Sequence, residues 1–268
     1  MKNTTIDSLI VSPVREVMRV SAKQIITPHY IRVYLTAQPD TIANIAKMTV
    51  GFNNKILIPT DKTQPVDIDD TANLTKRTYT HRGVDITKQH IWIDFVAHGD
   101  QAPASSWVSD AQVGDQLAVL MTPKNKALYP AADHFLLVGD ATAIPVLGAI
   151  LESLPSTATV QCIIEVYDEH DQQHLPTLAT VEMTWLHNRH PEQGSQLANT
   201  VKSLTLPTSE QSRFAYVASE FSSVKAIRHY LKKELDWSKD ELYAFSYWKA
   251  GIAEDRSAKD RLAEKDSE

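Results

Sequence analysis

Between positions 14 and 120 the apolar residues fall in short runs broken by turn formers, and within the runs apolar and polar positions tend to alternate. Residues 30–35, 90–96 and 116–120 read as strands with one face turned to a core. Val113-Gly114-Asp115 supplies a turn between a short helix and the last of these strands. Many short strands with few helical periods predict an antiparallel barrel over this half.

After a loop at 122–133 the rhythm changes to strand, helix, strand. Residues 135–138 form a continuous apolar run, as a strand covered on both faces requires. Ile144, Leu147, Ile150, Leu151 and Leu154 then recur at helical spacing until Pro155 stops the helix. Residues 160–167, 181–186, 214–218 and 242–248 are further strands, and 222–235 form an amphipathic helix opened by a capping serine, Ser222. This β–α alternation predicts a mostly parallel sheet flanked by helices. The tail from Ala253 onward is charged and helix-prone and is expected to be solvated. The chain therefore divides into a barrel over 1–128 and an α/β domain over 129–268, with no internal repeat and no low-complexity linker.

Composition narrows the chemistry. At 268 residues, 43% apolar and 22% charged, the chain has the profile of a globular protein of two domains. A net charge of −6 argues against a nucleic-acid partner, since phosphate backbones need a basic field. The single cysteine, Cys162, excludes an internal disulfide and a cluster held by several thiolates; its apolar neighbours make it a small buried hydrophobe. Residues 1–13 lack the apolar core of a signal peptide, Leu9-Ile10-Val11 being too short, and no segment is long enough to span a bilayer. A cytoplasmic monomer away from membranes is expected.

Candidate chemistry begins at Lys76-Arg77-Thr78-Tyr79-Thr80-His81-Arg82. On a strand Arg77, Tyr79 and His81 share one face and Thr78, Thr80 and Arg82 the other. Arginine offers planar donors to a pyrophosphate and tyrosine a flat surface to a fused ring, the groups a flavin dinucleotide asks for. The same stretch also suits a plain basic strand of a barrel. A second candidate runs from His98 to Trp107, where Pro103, Ala104 and Ser105 open a short helix whose first amides can meet an anion. An ordinary capped helix reads the same way. Gly139-Asp140-Ala141-Thr142-Ala143 lies where the first parallel strand hands over to its helix, the crevice in which nucleotides bind, although it is not a GxGxxG fingerprint. Glu220 ends a later strand and suits a ribose, a flavin edge or the following helix N-terminus. The aromatic cluster Tyr243, Phe245, Tyr247 and Trp248 serves a core or a site. His187 and His190 frame an HxxH at a strand end, a poor setting for a metal, and no nucleophile motif is present.

These residues together resemble a known family. Arg77-Thr78-Tyr79-Thr80-His81-Arg82 is similar to the RxYTxR signature of the siderophore-interacting proteins, FAD-containing ferric-siderophore reductases of the ferredoxin–NADP reductase superfamily. The HG…PASxW element at His98 to Trp107, the GD-T-A-P element at Gly139 to Pro145, and Tyr247-Trp248-Lys249-Ala250-Gly251, similar to YWRRG, follow in the family's order. Thr184-Trp185-Leu186-His187 is a further shared stretch, and the resemblance spans residues 14–251.

It implies a Greek-key barrel that holds FAD, followed by a parallel-sheet domain that receives NADH or NADPH. Arg77 would contact the flavin diphosphate, Tyr79 would pack on the isoalloxazine, and Thr80 would lie near N5. The backbone of Ala104 and Ser105 would complete the phosphate cradle, with Asp94, Val96, His98, Pro103 and Trp107 around it. Gly139, Asp140, Thr142, Ala143 and Glu220 would line the nicotinamide side, and Trp248 would lie close to the flavin. Two residues depart from the family pattern, Ala141 for an acidic residue and Ser219 for a glycine, and both belong to the donor side. The expected function is reduction of a ferric siderophore by single electrons, with no acid–base residue required, no resident metal, and Lys55, Lys124 and Lys126 receiving an anionic chelate or standing as solvated charges. Asp168, after the strand at 160–167, would favour NADH by repelling a 2′-phosphate. The alternatives are a general flavin reductase, a reductase fed by a ferredoxin, and a non-catalytic siderophore-binding iron chaperone.

Overall fold

The computed structural model describes residues 11–99 and 102–266 and divides into two units. Among the described residues the first contains 11–26 together with the described part of Tyr30–Leu128; the second contains Thr27–His29 and 129–266. Leu9 and Ile10 of the N-terminal stretch, and Asp100 and Gln101 of the second candidate motif, lie outside the described residues.

The first unit is built from β1 (Val14–Thr27), β2 (Tyr30–Thr36), α1 (Pro39–Ile45), β3 (Asn53–Pro59), β4 (Leu74–Thr80), β5 (Gly83–Asp85), β6 (His90–Val96), α2 (Pro103–Asp110) and β7 (Gln116–Met121). Its strands run in the order β4-β3-β7-β1-β2-β6-β5, with antiparallel ladders. β4 and β5 stand at opposite edges, yet only His81 and Arg82 separate them in the chain. The His81 N–H donates to Phe52 O (2.8 Å) on the β3 side, and the Arg82 N–H donates to Trp92 O (3.2 Å) on the β6 side. One bent run thus reaches from one edge of the sheet to the other, so the sheet curls into a barrel-like half-cylinder without a ladder joining β4 to β5 among the described residues. β3, β4–β5 and β6 are successive, and β6 lies beside β2, from which the chain returned through α1; this is Greek-key order.

Alternation fills the barrel. Ile91, Ile93 and Phe95 on β6, Val33 and Leu35 on β2, and Leu117 and Val119 on β7 are fully buried in one cluster with Trp107 and Val108 of α2. Each such side chain contributes roughly 1.5–3 kcal/mol through removal from water. β1 and β3 were not among the expected strands. In β1 only Val14, Met18, Val20 and Thr27 are buried, Val17 and Ile26 are half-buried, and Ile25 is exposed, so the period fades along its length.

The second unit contains β8 (His134–Asp140), α3 (Ile144–Ser153), β9 (Thr159–Val166), β10 (Thr180–His187), α4 (Leu197–Ser203), β11 (Arg213–Glu220), α5 (Phe221–His229), β12 (Leu242–Trp248) and α6 (Glu254–Asp266). All strand pairs are parallel, in the order β10-β9-β8-β11-β12. The order reverses between β8 and β11, which makes the carboxyl ends of those two strands the switch point where ligands of such sheets bind. Cys162 is fully buried in β9, and burial pushes its thiol up to about 12, so it is an inert core residue.

Two expectations about this unit are corrected. The cap of α5 is Glu220 rather than a serine: its carboxylate accepts the Ser222 N–H, and a π-turn over Tyr230–Glu234 carries the helix on. The charged tail is not simply solvated. It forms α6, with Ser257 and Arg261 buried, and the Arg261 guanidinium donates to Ser246 O (3.2 Å) and Tyr247 O (2.5 Å) along the outer edge of β12. An edge strand leaves carbonyls unpaired, and a buried guanidinium satisfies two of them here.

His81 is buried at the barrel's closing bend with neither ring nitrogen hydrogen-bonded among the described residues. Burial, and then the Arg82 charge, lower its pKa to about 4. The native state therefore holds His81 neutral while the unfolded chain protonates it near 6.5, so stability is lost as pH falls from about 6.5 toward 4. His81→Leu is expected to reduce this acid-side loss by an amount on the order of 2–3 kcal/mol. Urea unfolding of both proteins at pH 7 and pH 5 checks it: the gap between the two pH values should narrow in the variant.

Candidate functional site

The strand pair β3–β4 sets the first group of candidate residues. Its register puts Asn54 opposite Tyr79 and Ile56 opposite Arg77, so Arg77 and Tyr79 share the face of the core residue Ile56. The Tyr79 ring, half-buried, packs on Phe95 at 4.5 Å, and Phe95 in turn packs on Trp107 at 5.8 Å. Arg77, also half-buried, donates to Lys76 O (2.8 Å). Thr80 is buried at the end of the strand, where the chain bends.

α2 contributes an open helix start. Pro103 occupies its first turn, and the N-cap is Ala102, which has no side-chain acceptor, so among the described residues no side chain caps the first amides. Ser105 is buried, and its Oγ accepts the His98 N–H (2.8 Å), which fixes the loop between β6 and α2. His98 itself is exposed and Val96 half-buried.

Asp94 is structural as well as central. Both of its oxygens accept from Arg32, at 2.7 and 2.9 Å, the Tyr30 hydroxyl donates at 3.2 Å, and Arg82 Nε lies 3.8 Å away. Its side chain is 1% exposed, and the donors it meets come from the barrel wall. Burial, then the Asp94 charge, push the Tyr30 phenol well above its ordinary range.

The second group meets at the switch point. Asp140 ends β8, and its Oδ1 accepts from the Thr142 N–H (2.9 Å) and the Thr142 hydroxyl. Its Oδ2 accepts from the Glu220 N–H (3.0 Å) and the Trp248 indole N–H (2.8 Å). Glu220, nearly buried, accepts from the Ser222 and Ala250 amides. Burial raises the Asp140 carboxyl above its usual range even though the hydrogen bonds from Thr142 and Trp248 oppose this. Gly139 is required here: a Cβ would lie 2.5 Å from Ala143 Cβ and 2.8 Å from Ala218 O, too close for any other residue. Ala143 packs there in full burial, and Ser219 fits with no exposure at all.

The lysines and Asp168 lie elsewhere in their units. Lys55 donates to the Thr78 hydroxyl, Lys124 donates to Asn53 Oδ1 (2.8 Å) and sits over the Phe52 ring, and Lys126 is exposed. Lys55 and Lys124 thus gather around the start of β3. Asp168 follows β9, but its oxygens are taken by the His170 N–H and by Arg189, each at 3.0 Å. Sequence reasoning missed Arg189 and the Arg32–Asp94 pair. The only available signal for the pair was an arginine and an aspartate on predicted strands, which says nothing about pairing.

A curled Greek-key sheet with an uncapped helix and an Arg–x–Tyr strand, joined in sequence to a parallel sheet with a polar switch point, has the architecture of a two-domain flavoprotein reductase. The chain belongs to the siderophore-interacting protein family: residues 19–127 match the siderophore-interacting FAD-binding domain and residues 132–251 the siderophore-interacting protein domain. It is 31% identical over 240 residues to the ferric vibriobactin reductase ViuB of Vibrio cholerae, covering 89% of this chain and 83% of that one. It is 27% identical over 179 residues to a ferric acinetobactin reductase of Acinetobacter baumannii, covering 66% and 62%. Among solved structures, the siderophore-interacting protein SipS of Aeromonas hydrophila superposes with a TM-score of 0.79 at 28% identity, over 95% and 98% of the two chains. A ferredoxin NADP+ reductase of Neisseria gonorrhoeae with bound FAD and NADP shares the fold, with a TM-score of 0.58 at 11% identity over 87% of this chain and 98% of that one.

The first unit is an FAD-binding domain, and its residues fit that group. The uncapped α2 amides suit a diphosphate, and the half-buried Tyr79 ring, backed by Phe95, is firmly supported for a flat ring.

The Asp94 pairing carries a stability expectation. Asp94→Ala leaves Arg32 and Arg82 facing each other in a buried wall without their carboxylate, and should lower the unfolding free energy by about 3–5 kcal/mol. Urea denaturation followed by circular dichroism measures it; a loss under about 1 kcal/mol would place the pair among weak surface bridges.

Proposed function

We propose that this protein is an FAD-dependent ferric-siderophore reductase that takes its electrons from a nicotinamide dinucleotide. The observation that carries the reading is the union, in one chain, of the Arg77–Tyr79–α2 arrangement on an FAD-binding domain with a switch-point crevice lined by Gly139, Thr142 and Glu220. FAD, when bound, supplies the conversion between a two-electron donor and a one-electron acceptor. The chain's own residues supply position and charge. Arg77 and the amides of Ala104 and Ser105 would hold the diphosphate, Tyr79 would cover a ring face, and Thr80 would set the environment of N5. Pro103 opens the helix start, Trp107 and Val96 close the apolar side, and His98 stands at its exposed margin.

The siderophore comes to this reading from the relatives named as ferric vibriobactin and ferric acinetobactin reductases. Ferric chelates with oxygen ligands are commonly anionic, and Lys55, Lys124 and Lys126 offer a receiving patch. No side chain has to move a proton: ferrous iron holds hard oxygen ligands less strongly than ferric iron, so electron arrival itself loosens the chelate. For the donor, the strand order β10-β9-β8-β11-β12 supports a dinucleotide at the end of β8. Because Arg189 pairs with Asp168, that carboxylate repels a 2′-phosphate less than a free one would, and NADPH is a substrate on equal terms with NADH in this reading. Ala141 and Ser219, which depart from the family pattern, keep a ferredoxin as the competing donor.

The test is anaerobic: purified protein, a ferric hydroxamate, a ferrous-specific chelator, and NADH or NADPH in turn. Bleaching of the flavin spectrum with growth of the ferrous complex is the expected result. A bound flavin that stays oxidised with both dinucleotides would transfer the donor role to a ferredoxin, and protein that binds no FAD would overturn the reading. Arg77→Ala should weaken FAD binding roughly 10- to 100-fold, as loss of charge-assisted hydrogen bonds predicts, while leaving the fold intact by circular dichroism. Lys55→Ala with Lys126→Ala should raise the KM for an anionic ferric chelate several-fold; an unchanged KM removes these lysines from the site.

A further inference from the structure

α2 has eight residues, too few to hold a helix together in water, so the contacts around it decide where it sits. Its middle is anchored by Trp107 and Val108, which are buried in the barrel core. Burial of that kind is non-directional and does not fix the helix along its own axis. Directional bonds at the two ends can.

The ends differ. At the start no side chain caps the amides among the described residues, Pro103 has no N–H, and the Ser106 N–H donates to Ala102 O (2.9 Å). At the far end, where the last carbonyls of a helix lack helical partners, side chains from two other parts of the chain converge. Lys62 Nζ donates to Trp107 O (3.0 Å), and Lys23 Nζ donates to Val108 O (3.2 Å) and Ser109 O (2.9 Å). Lys23 belongs to β1 and Lys62 to the segment after β3. That segment is itself fastened: the Thr63 N–H donates to Asp61 Oδ1 (2.8 Å) and the Val66 N–H to Gln116 Oε1 (2.8 Å) at the start of β7.

A lysine at a helix C-terminus stabilises the helix by meeting the negative end of its dipole, and Lys62 also lies 3.8 Å from Asp110, an acid badly placed at that end. One cation would suffice for that. Two ammonium groups from separate segments, aimed at the successive carbonyls of Trp107, Val108 and Ser109, do more: they fix the last turn against the wall from two directions.

We infer that Lys23 and Lys62 are positioning residues for FAD. They hold the last turn of α2, and through the hydrogen-bonded helix they keep the Ala104 and Ser105 amides in place for the diphosphate. The inference rests on the cofactor reading above, in which those amides meet the diphosphate. A diphosphate needs its donors at hydrogen-bond distance, so loosening the far end of so short a helix weakens the hold on FAD. A flavin without a diphosphate, which relies on the ring face offered by Tyr79, is indifferent to it.

Lys23→Met and Lys62→Met, singly and together in the full-length protein, test this, since methionine keeps an unbranched stem and removes the ammonium. After removal of bound flavin, dissociation constants for FAD and for riboflavin are measured by fluorescence titration. Hydrogen exchange of the 102–110 amides is followed by mass spectrometry, and circular dichroism checks the fold. The double variant is expected to bind FAD roughly 5- to 30-fold more weakly, with riboflavin changed by less than about twofold and exchange across α2 faster. Lys62→Arg should keep most of the FAD affinity. Unchanged FAD affinity in the double variant overturns the inference, as does an equal loss for FAD and riboflavin, which would mark a general loosening of the barrel. If the wild type binds no FAD, the cofactor reading fails by itself, and unchanged exchange across α2 in the double variant still overturns the hold assigned to the lysines.

Discussion

The barrel depends on a single strand that changes partners. Residues 74–80 pair with β3, residues 83–85 pair with β6, and the two residues between them, His81 and Arg82, make the turn from one edge to the other. Both are buried, which is an expensive place for a histidine and an arginine. Arg82 lies beside Asp94, and Asp94 is held by Arg32 and Tyr30, so the charge introduced at the bend is matched across the wall. His81 has no such match and stays neutral. The bend also places Thr80 at the last position of β4, directly after Tyr79 and three residues beyond Arg77. The arrangement that suits a flavin is therefore a consequence of how the barrel closes.

In the second unit the polar residues gather where the strands end, because the strand interiors have no room for them. β8, β9 and β11 are covered on both faces and apolar for most of their length. Only at their carboxyl ends do Asp140, Glu165 and Glu220 appear, each buried and each supplied with hydrogen-bond donors from loops and helix starts. Gly139 allows the chain to pass close to Ala143 and Ala218 before Asp140 turns outward. A crevice of this kind is shaped by fixed backbone and by carboxylates already committed to the protein. Of the small side chains at this end, Ala143 is enclosed and Thr142 is half-buried.

Membership of the siderophore-interacting family fixes the cofactor and the general chemistry. Ser219 is wholly enclosed, and its hydroxyl donates to the Glu220 carbonyl. Asp168, which by its place after β9 should select against a 2′-phosphate, is met by Arg189 from the segment after β10. The charge presented at the end of β9 therefore belongs to a pair of residues distant in the chain and not to the carboxylate alone.

Period-two alternation at 90–96, the apolar run at 135–138 and the helical spacing before Pro155 announced β6, β8 and α3, because a buried face imposes its period on the sequence whatever the rest of the fold does. The RxYTxR stretch, the helix start at Pro103 and the Gly139–Pro145 turn were legible as well, since each needs particular residue types at fixed local spacing. β1 was hidden by polar residues on its solvent side, and the charged tail concealed that Ser257 and Arg261 are buried against β12. What no local pattern could supply was the pairing of groups far apart: Arg32 with Asp94, Asp168 with Arg189, and Asp140 with Trp248, which are 108 positions apart in the chain. A hydrogen bond or ion pair is specific in space and leaves no period in sequence. The sequence by itself therefore determined the elements, their class and the flavin-type motifs, while only the tertiary structure decided which carboxylates are committed to holding the fold and which side chains remain for a ligand.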